Sequence, residues 1–397
     1  MMQKHLLPIL LACTLAVPSL GMAQKNDERP PAVGASFLQV NPDARSAATG
    51  NAPTGLSPDV SSLWSNAAKI VFAGPWGVSA SYSPWMWEIN NSQSNMANVA
   101  AYTTFGPDQA QAVGVSMKYF NYGTVTFRDD NGSVLQDYNP KEYAIDGAYA
   151  RKLGRKTSLA ISLRYIRSQL GQGNYNSLQQ KPASAFAGDV GFYYQNSADN
   201  IDFNNRYCFG VSLTNIGTKL SYTDDKTRKS FLPINLRLGG GYAFVNTSTN
   251  TFTITAEINK LLVPTPPVYA LDSNGMVTST ILKGKDPDRG VVDAIFSSFG
   301  DAPGGFQEEL REFTIGGGIE YAYKQTFFLR AGYFYEHPNK GYRQNFSTGI
   351  GLRFSRIGLD MAYLIPTDHL VYQRKILQFT LSYGIGNNSN NNLPGGQ

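Results

Sequence analysis

Chemistry has few places to reside in this chain. Its three histidines are His5, His337 and His369. The last two fall near expected strand ends, where a histidine beside a serine would be the minimum for a hydrolase. No GxSxG, HExxH or comparable motif accompanies them, so no catalytic residue, cofactor or bound metal is expected. Cys208 sits among strand glycines and reads as a small residue. Gly239-Gly240-Gly241 and Gly316-Gly317-Gly318 would suit phosphate if a helix followed, but both lie inside strand patterns and mark bends or a close approach of backbone. What remains is charge carried on one face of alternating segments: Lys118, Asp146, Arg164, Asp189, Arg237, Glu257, Glu320, Arg330, Arg353 and Asp360.

The elements that position these charges are strands. Residues 251–259 place Phe252, Ile254, Ala256 and Ile258 on one face and Thr253, Thr255, Glu257 and Asn259 on the other, and 376–383 repeat the pattern. Fourteen segments read this way: 77–85, 96–105, 112–127, 141–153, 157–170, 185–196, 204–217, 232–245, 250–263, 312–323, 326–336, 344–355, 357–366 and 375–386. They are longer than the ~5–6 residues usual in soluble sheets and match the ~9–11 of membrane-spanning strands. Only 16% of the chain is charged, against ~25% for soluble domains, and no apolar run after residue 23 is long enough for a spanning helix. No basic run marks a nucleic-acid partner. The expected fold is an all-β transmembrane antiparallel barrel of about fourteen strands, an even number as closure in bacterial barrels requires.

An Arg or Lys on the lipid side of such a barrel costs about 2–4 kcal/mol at mid-membrane. The ten charges must therefore face inward, as a mutually neutralising lining of a watery lumen or as a channel that grips a peptide or ligand. Connections after even-numbered strands are short and those after odd-numbered strands long. The expected topology has both termini periplasmic and the longest loop, 264–311, outside the cell. Residues 1–23 form a secretory signal peptide, ending Gly21-Met22-Ala23. The mature chain then holds Cys208 alone, which rules out a disulfide framework. Residues 24–76 precede the first strand and suit a plug or hatch in the lumen, and 387–397 are a disordered polar tail. In the long loop, Val291, Val292, Ile295, Phe296 and Phe299 have helical spacing. The stripe Val292, Ile295, Phe296 and Phe299 is a candidate partner-binding surface, with a lid over the mouth as the alternative and the lumen near Arg164, Arg237 and Arg353 as the alternative binding site.

Particular words of the sequence carry more. The run from Phe37 to Lys69, with Asn41-Pro42-Asp43-Ala44-Arg45 and Ser57-Pro58-Asp59-Val60, continues through Ser81 to Trp85, and a second run extends from Asn139 to Leu170. Together they resemble the PorV family, outer-membrane barrels of the type IX secretion system of Bacteroidota. One departure is Trp64-Ser65-Asn66-Ala67-Ala68, where the family pattern is Trp-Asn-Pro-Ala. The resemblance implies a FadL-like barrel with an N-terminal hatch. It also implies a carrier that takes cargo from the translocon barrel by the cargo's C-terminal domain and delivers it to an attachment complex with a sortase-like peptidase, all in contact with outer-membrane lipid. The rival readings are a FadL-like uptake channel for long-chain fatty acids or other hydrophobic compounds and, more distantly, a surface lipid-modifying enzyme.

Overall fold

The computed structural model describes residues 29–385 apart from 86–92, 129–133, 172, 176–177, 197–205, 226–227, 248 and 368–374. The signal segment, the polar tail and His369 lie outside the described residues. Fourteen antiparallel strands close into one barrel: β1 Trp76–Pro84, β2 Asn95–Phe105, β3 Gln111–Asn121, β4 Lys141–Lys152, β5 Thr157–Gln169, β6 Ala183–Gln195, β7 Arg206–Gly217, β8 Asn235–Asn246, β9 Asn250–Leu261, β10 Phe313–Tyr323, β11 Phe327–Tyr335, β12 Asn345–Phe354, β13 Ile357–Pro366 and β14 Ile376–Ile385. Closure is made by β1 on β14, in register from Trp76 opposite Ile385 to Tyr82 opposite Phe379. Every neighbouring pair shares its backbone hydrogen bonds, so the sheet has no edge to leave unsatisfied in lipid.

Alternation decides which side chain faces lipid. Along β5, Leu159, Ile161 and Leu163 are exposed, while Ser158, Ala160, Ser162 and Arg164 are buried inside. Aromatic pairs mark both ends of the outer surface. Tyr165 and Phe186 lie 5.3 Å apart at the long-loop end, and Phe244 and Phe252 lie 4.8 Å apart at the short-turn end, the girdle arrangement of membrane barrels. One expected strand was too long. The run 112–127 ends as a barrel strand at Asn121, and Val125–Arg128 turns away to pair with Val134–Tyr138 in a separate hairpin. Its alternation is intact, but its partner lies outside the barrel. A second projecting hairpin, Val268–Leu271 with Val277–Lys283, opens the longest loop.

The N-terminal segment runs inside the barrel as short helical turns: α1 Ala44–Ala48, α2 Ser62–Ser65 and 3-10 turns at Ser36–Gln39, Pro53–Gly55 and Ala67–Phe72. Asp43 caps α1 by accepting from Ser46 N–H at 2.8 Å. The segment reaches the wall because the wall is glycine there. A Cβ on Gly241 would stand 2.1 Å from the Gly55 carbonyl oxygen, and one on Gly316 2.1 Å from that of Gly50, whose φ of +66° is itself a glycine conformation. At the short-turn end Ile70, Val71, Phe72, Tyr102 and Tyr193 form one buried cluster. Gly241→Val should force this backbone contact apart and destabilise the fold by about 1–3 kcal/mol, lowering the temperature at which the folded barrel band is lost on a gel.

Candidate functional site: a charge-locked lumen and its outer cavity

Inward-facing side chains of the barrel bind the N-terminal segment around much of its circumference. On one side Arg45 of α1 grips Glu320 of β10 with two hydrogen bonds, Nε to Oε2 at 2.9 Å and Nη2 to Oε1 at 2.8 Å. Its Nη1 donates to Asp59 at 2.8 Å and to the Ser57 carbonyl at 3.0 Å. The chain of charge continues along the wall: Arg330 donates to Glu320 and to Asp360, and Arg353 to Asp360. On the opposite side Arg164 pairs with Asp146 and Asp189. The Trp64 ring of α2 meets two cations, the Arg164 guanidinium 4.4 Å from the ring centre and the Lys118 ammonium 4.2 Å away. Lys118 also donates to the carbonyls of Phe37 and Val40. Glu257 accepts from Thr54 N–H and Oγ and from Arg237.

Each of the ten residues singled out in the sequence therefore has a place on the inner wall, and most of them are buried. The correction concerns their surroundings. All ten pair into carboxylate–guanidinium contacts or touch the N-terminal segment through Trp64, Arg45 or Thr54, in place of lining an open watery lumen. Burying such pairs is costly unless every partner is retained. Arg45, Asp59, Lys69 and Asn66 complete the arrangement but stand out poorly in sequence, since none lies in a strand. Their signal was the run Asn41 to Arg45 and the Ser57-Pro58-Asp59 triplet. Where the sequence departs from the family pattern, Asn66 caps the turn after it by accepting from Ala68 N–H at 3.1 Å and donates to the carbonyls of Phe192 and Val211.

Toward the long-loop end the segment leaves a cavity of about 290 Å³. Trp64, Trp85, Phe334, Leu38, Leu364 and Ile376 supply apolar lining, and Asn235, Asn259, Thr314 and Asn345 polar lining. Three buried groups on its wall, Arg237 Nε, Asn345 Oδ1 and Gln378 Oε1, have no hydrogen-bond partner among the described residues, which leaves them for a ligand or water. The longest loop drapes over the rim beside it, with α3 Val291–Ser297 and α4 Phe306–Leu310. Of the sequence-derived stripe, Ile295 packs inward with Ala294, whereas Val292, Phe296 and Phe299 are exposed. Lys260 holds Glu309 and Glu312, and Lys340 holds Glu308 and Glu312.

The remaining candidate groups have structural uses. His337 Nδ1 accepts from Asn339 N–H at 3.2 Å, and burial, then the charges of Arg311 and Lys340, lowers its pKa. The Cys208 thiol rests on the Gly55 carbonyl. Among the described residues no group of acidic, histidine or cysteine side chains could hold a metal ion, and no helix is long and apolar enough to cross a membrane.

Residues 23–268 match the family model "Type IX secretion system protein PorV", more than half of the chain. The chain belongs to the PorV family. No curated protein matches it in sequence. Among solved structures it is similar to the Pseudomonas putida toluene transporter TodX, with TM-score 0.50 and 13% identity, covering 85% of this chain and 96% of that one. The Ralstonia pickettii toluene transporter TbuX gives 0.48 and 12%, covering 86% and 97%, and a Pseudomonas aeruginosa FadL homologue 0.49 and 10%, covering 89% and 99%. At these identities the likeness is one of fold. Fold and family place this PorV-family barrel in the outer membrane as a protein of the type IX secretion system.

Two outcomes follow from the charge locks. Arg45→Met leaves Glu320 a buried carboxylate with one partner fewer. It should cost about 3–5 kcal/mol, read as faster amide exchange in the N-terminal segment and partly restored by adding Glu320→Gln. At the rim, burial works against ionised Glu308, but hydrogen bonds from Lys340 and Gly304 N–H and the Lys340 charge prevail and lower its pKa. A carboxyl lowered by folding stabilises above its unfolded pKa and loses that contribution as pH falls through the folded value. Asp301 nearby runs the other way, raised by burial and then by Glu309 and Glu312. Protection of α4 from exchange should thus fall below pH 4.5, the unfolded glutamate value, with a component that Glu308→Gln abolishes.

Proposed function

We propose that this barrel is an outer-membrane carrier of the type IX secretion system. It binds the C-terminal domain of cargo leaving the translocon barrel at its extracellular mouth and hands it to the surface attachment complex with its sortase-like peptidase. Family membership supports the system. The observation that carries the carrier reading is the filled lumen: the N-terminal segment acts as a hatch tied to the wall by buried ion pairs, and Phe72 and Tyr193 occupy the short-turn end. Among the described residues this buried cluster stands between the outer cavity and that end, which suits capture and release on one side better than passage. The unpaired Arg237 Nε and the amide oxygens of Asn345 and Gln378 suit the N–H and C=O groups of an extended polypeptide segment. No part of this role needs catalysis, and the barrel is read as no enzyme.

The second reading, uptake of long-chain fatty acids or other hydrophobic compounds, draws on the apolar part of the same cavity, Trp64, Trp85, Phe334 and Ile376. Deleting the gene separates the two. A carrier's loss should leave cargo unanchored at the surface with growth on fatty acids unchanged; the reverse result would establish uptake. For the site, Asn345→Leu with Thr314→Leu, which fill the cavity from the wall, should weaken capture of a purified cargo C-terminal domain about tenfold or more, ~1.4 kcal/mol. If Phe296→Ala with Phe299→Ala removes capture instead, cargo docks on the exposed stripe. The proposed orientation, with both termini periplasmic, requires Ser273→Cys to be labelled by an impermeant reagent in intact cells and Gly154→Cys to be shielded. The opposite labelling would invert the topology.

A further inference from the structure

The outer wall of the barrel is covered at one place by its own loop. Even-numbered residues of β9 point outward, and Ile254 and Ile258 are accordingly exposed. The next outward position, Lys260, is only 1% exposed, and Leu262, which continues this face one step past the strand, only 2%. Ile234, whose carbonyl accepts from Leu262 N–H at 2.7 Å, is fully buried. The covering residues come from the rim segment. Ala294, Val291 and Ile295 of α3 cluster with Ile234, Leu262 and Val263. The rings of Phe299 and Phe313 lie 5.6 and 5.3 Å from the Lys260 ammonium, which Glu309 and Glu312 neutralise. The two short helices therefore lie over the rim on its outer side, above β8 to β10, while Glu308 and Glu312 turn toward Lys340 and the mouth and the same apolar cluster reaches Val33 and Leu261.

Their other face carries large exposed apolar side chains, with Gln307 and Arg311 exposed beside them. Val292 is 67% exposed, Phe296 76%, Phe299 50%, Phe306 75% and Leu310 54%. Val292, Phe296 and Phe299 fall at i, i+4 and i+7, the spacing of one helical stripe, and Phe306 and Leu310 at i and i+4. On the same outer wall, toward mid-barrel, stand Leu238, Ile258 and Ile315, exposed to the lipid that the barrel must meet. Asp293 pairs with Arg289 on the polar flank of α3. The apolar stripe thus adjoins the lipid-facing band beyond the strands, and the Lys260–Glu309–Glu312 ion pairs beneath the helices are buried.

We propose that α3 and α4 form a membrane-interface belt whose exposed face takes the acyl chains of the outer leaflet, at the depth of about 5–10 Å below the headgroup boundary that surface-lying amphipathic helices reach. The belt pins the longest loop to the membrane beside the mouth and leaves the cavity uncovered. The occupant is lipid because the stripe adjoins a surface that is already in lipid and sits on the outer side of the rim, away from the cavity.

The test uses the full barrel, without any partner, in dimyristoylphosphatidylcholine nanodiscs. Nitroxide labels go singly on Val292→Cys, Phe296→Cys and Phe306→Cys in a Cys208→Ser background, with Ser273→Cys on the projecting hairpin as reference. All four positions are away from the strands, and folding is checked by the heat-modifiable gel band. Labels at 292, 296 and 306 should be relaxed strongly by oxygen and weakly by an aqueous nickel chelate, with the reverse at 273. Chelate access at 296 and 306 equal to that at 273 overturns the proposal. So does protection that appears only when a cargo C-terminal domain is added, which would assign the stripe to protein docking. Because no cargo is needed for the expected result, failure of the carrier reading leaves this outcome unchanged.

Discussion

The interaction on which the rest depends is the buried bidentate pair between Arg45 and Glu320. A barrel in lipid must send its charges inward, and an inward charge must then find a partner away from bulk water. Glu320 meets that demand with one partner from the wall, Arg330, and one from the N-terminal segment, Arg45. The same pair neutralises the wall and seats the segment. Asp360 and Arg353 extend the neutralisation along adjacent strands, so loss of the segment would strip the buried Glu320 carboxylate of one of its two guanidinium partners.

Close approach of backbones makes this seating geometrically possible. The glycine triplets of β8 and β10 remove the side chains that would otherwise hold Gly50 and Gly55 away, and the serines and alanines inside β5 do the same around Trp64 and Ala68. The lumen is consequently divided among the described residues: filled by the Phe72–Tyr193 cluster at the short-turn end, and open as a cavity with two unpaired amide oxygens and one unpaired guanidinium N–H near the long loops. A lumen arranged in this way holds something at one mouth more readily than it conducts between two. This is the physical link between the packing and the carrier reading.

The rim shows a second use of the same rule. Lys260 is an outward-facing cation, the one kind of residue the lipid side excludes, and it is tolerated because Glu309, Glu312 and two aromatic rings enclose it. Enclosing it required the long loop to fold down outside the wall, which in turn carried Phe296 and Phe306 to the surface.

The sequence by itself determined the compartment, the barrel, the number and nearly all the positions of its strands, and the inward direction of ten charges. Side-chain alternation is a local property, and the free-energy cost of charge in lipid leaves one choice of face. It also located α3, because helical spacing is local too. Tertiary structure decided what each inward charge meets, since Arg45 and Glu320 are separated by 275 residues and nothing in either neighbourhood encodes the other. It decided that 125–128 belongs to a projecting hairpin, because strand identity rests on the partner that completes the hydrogen bonds and not on the pattern. And it decided on which side of the rim α3 lies, because Ile234, Leu262 and Lys260 form an outward-facing shelf only when β8, β9 and their connections stand side by side.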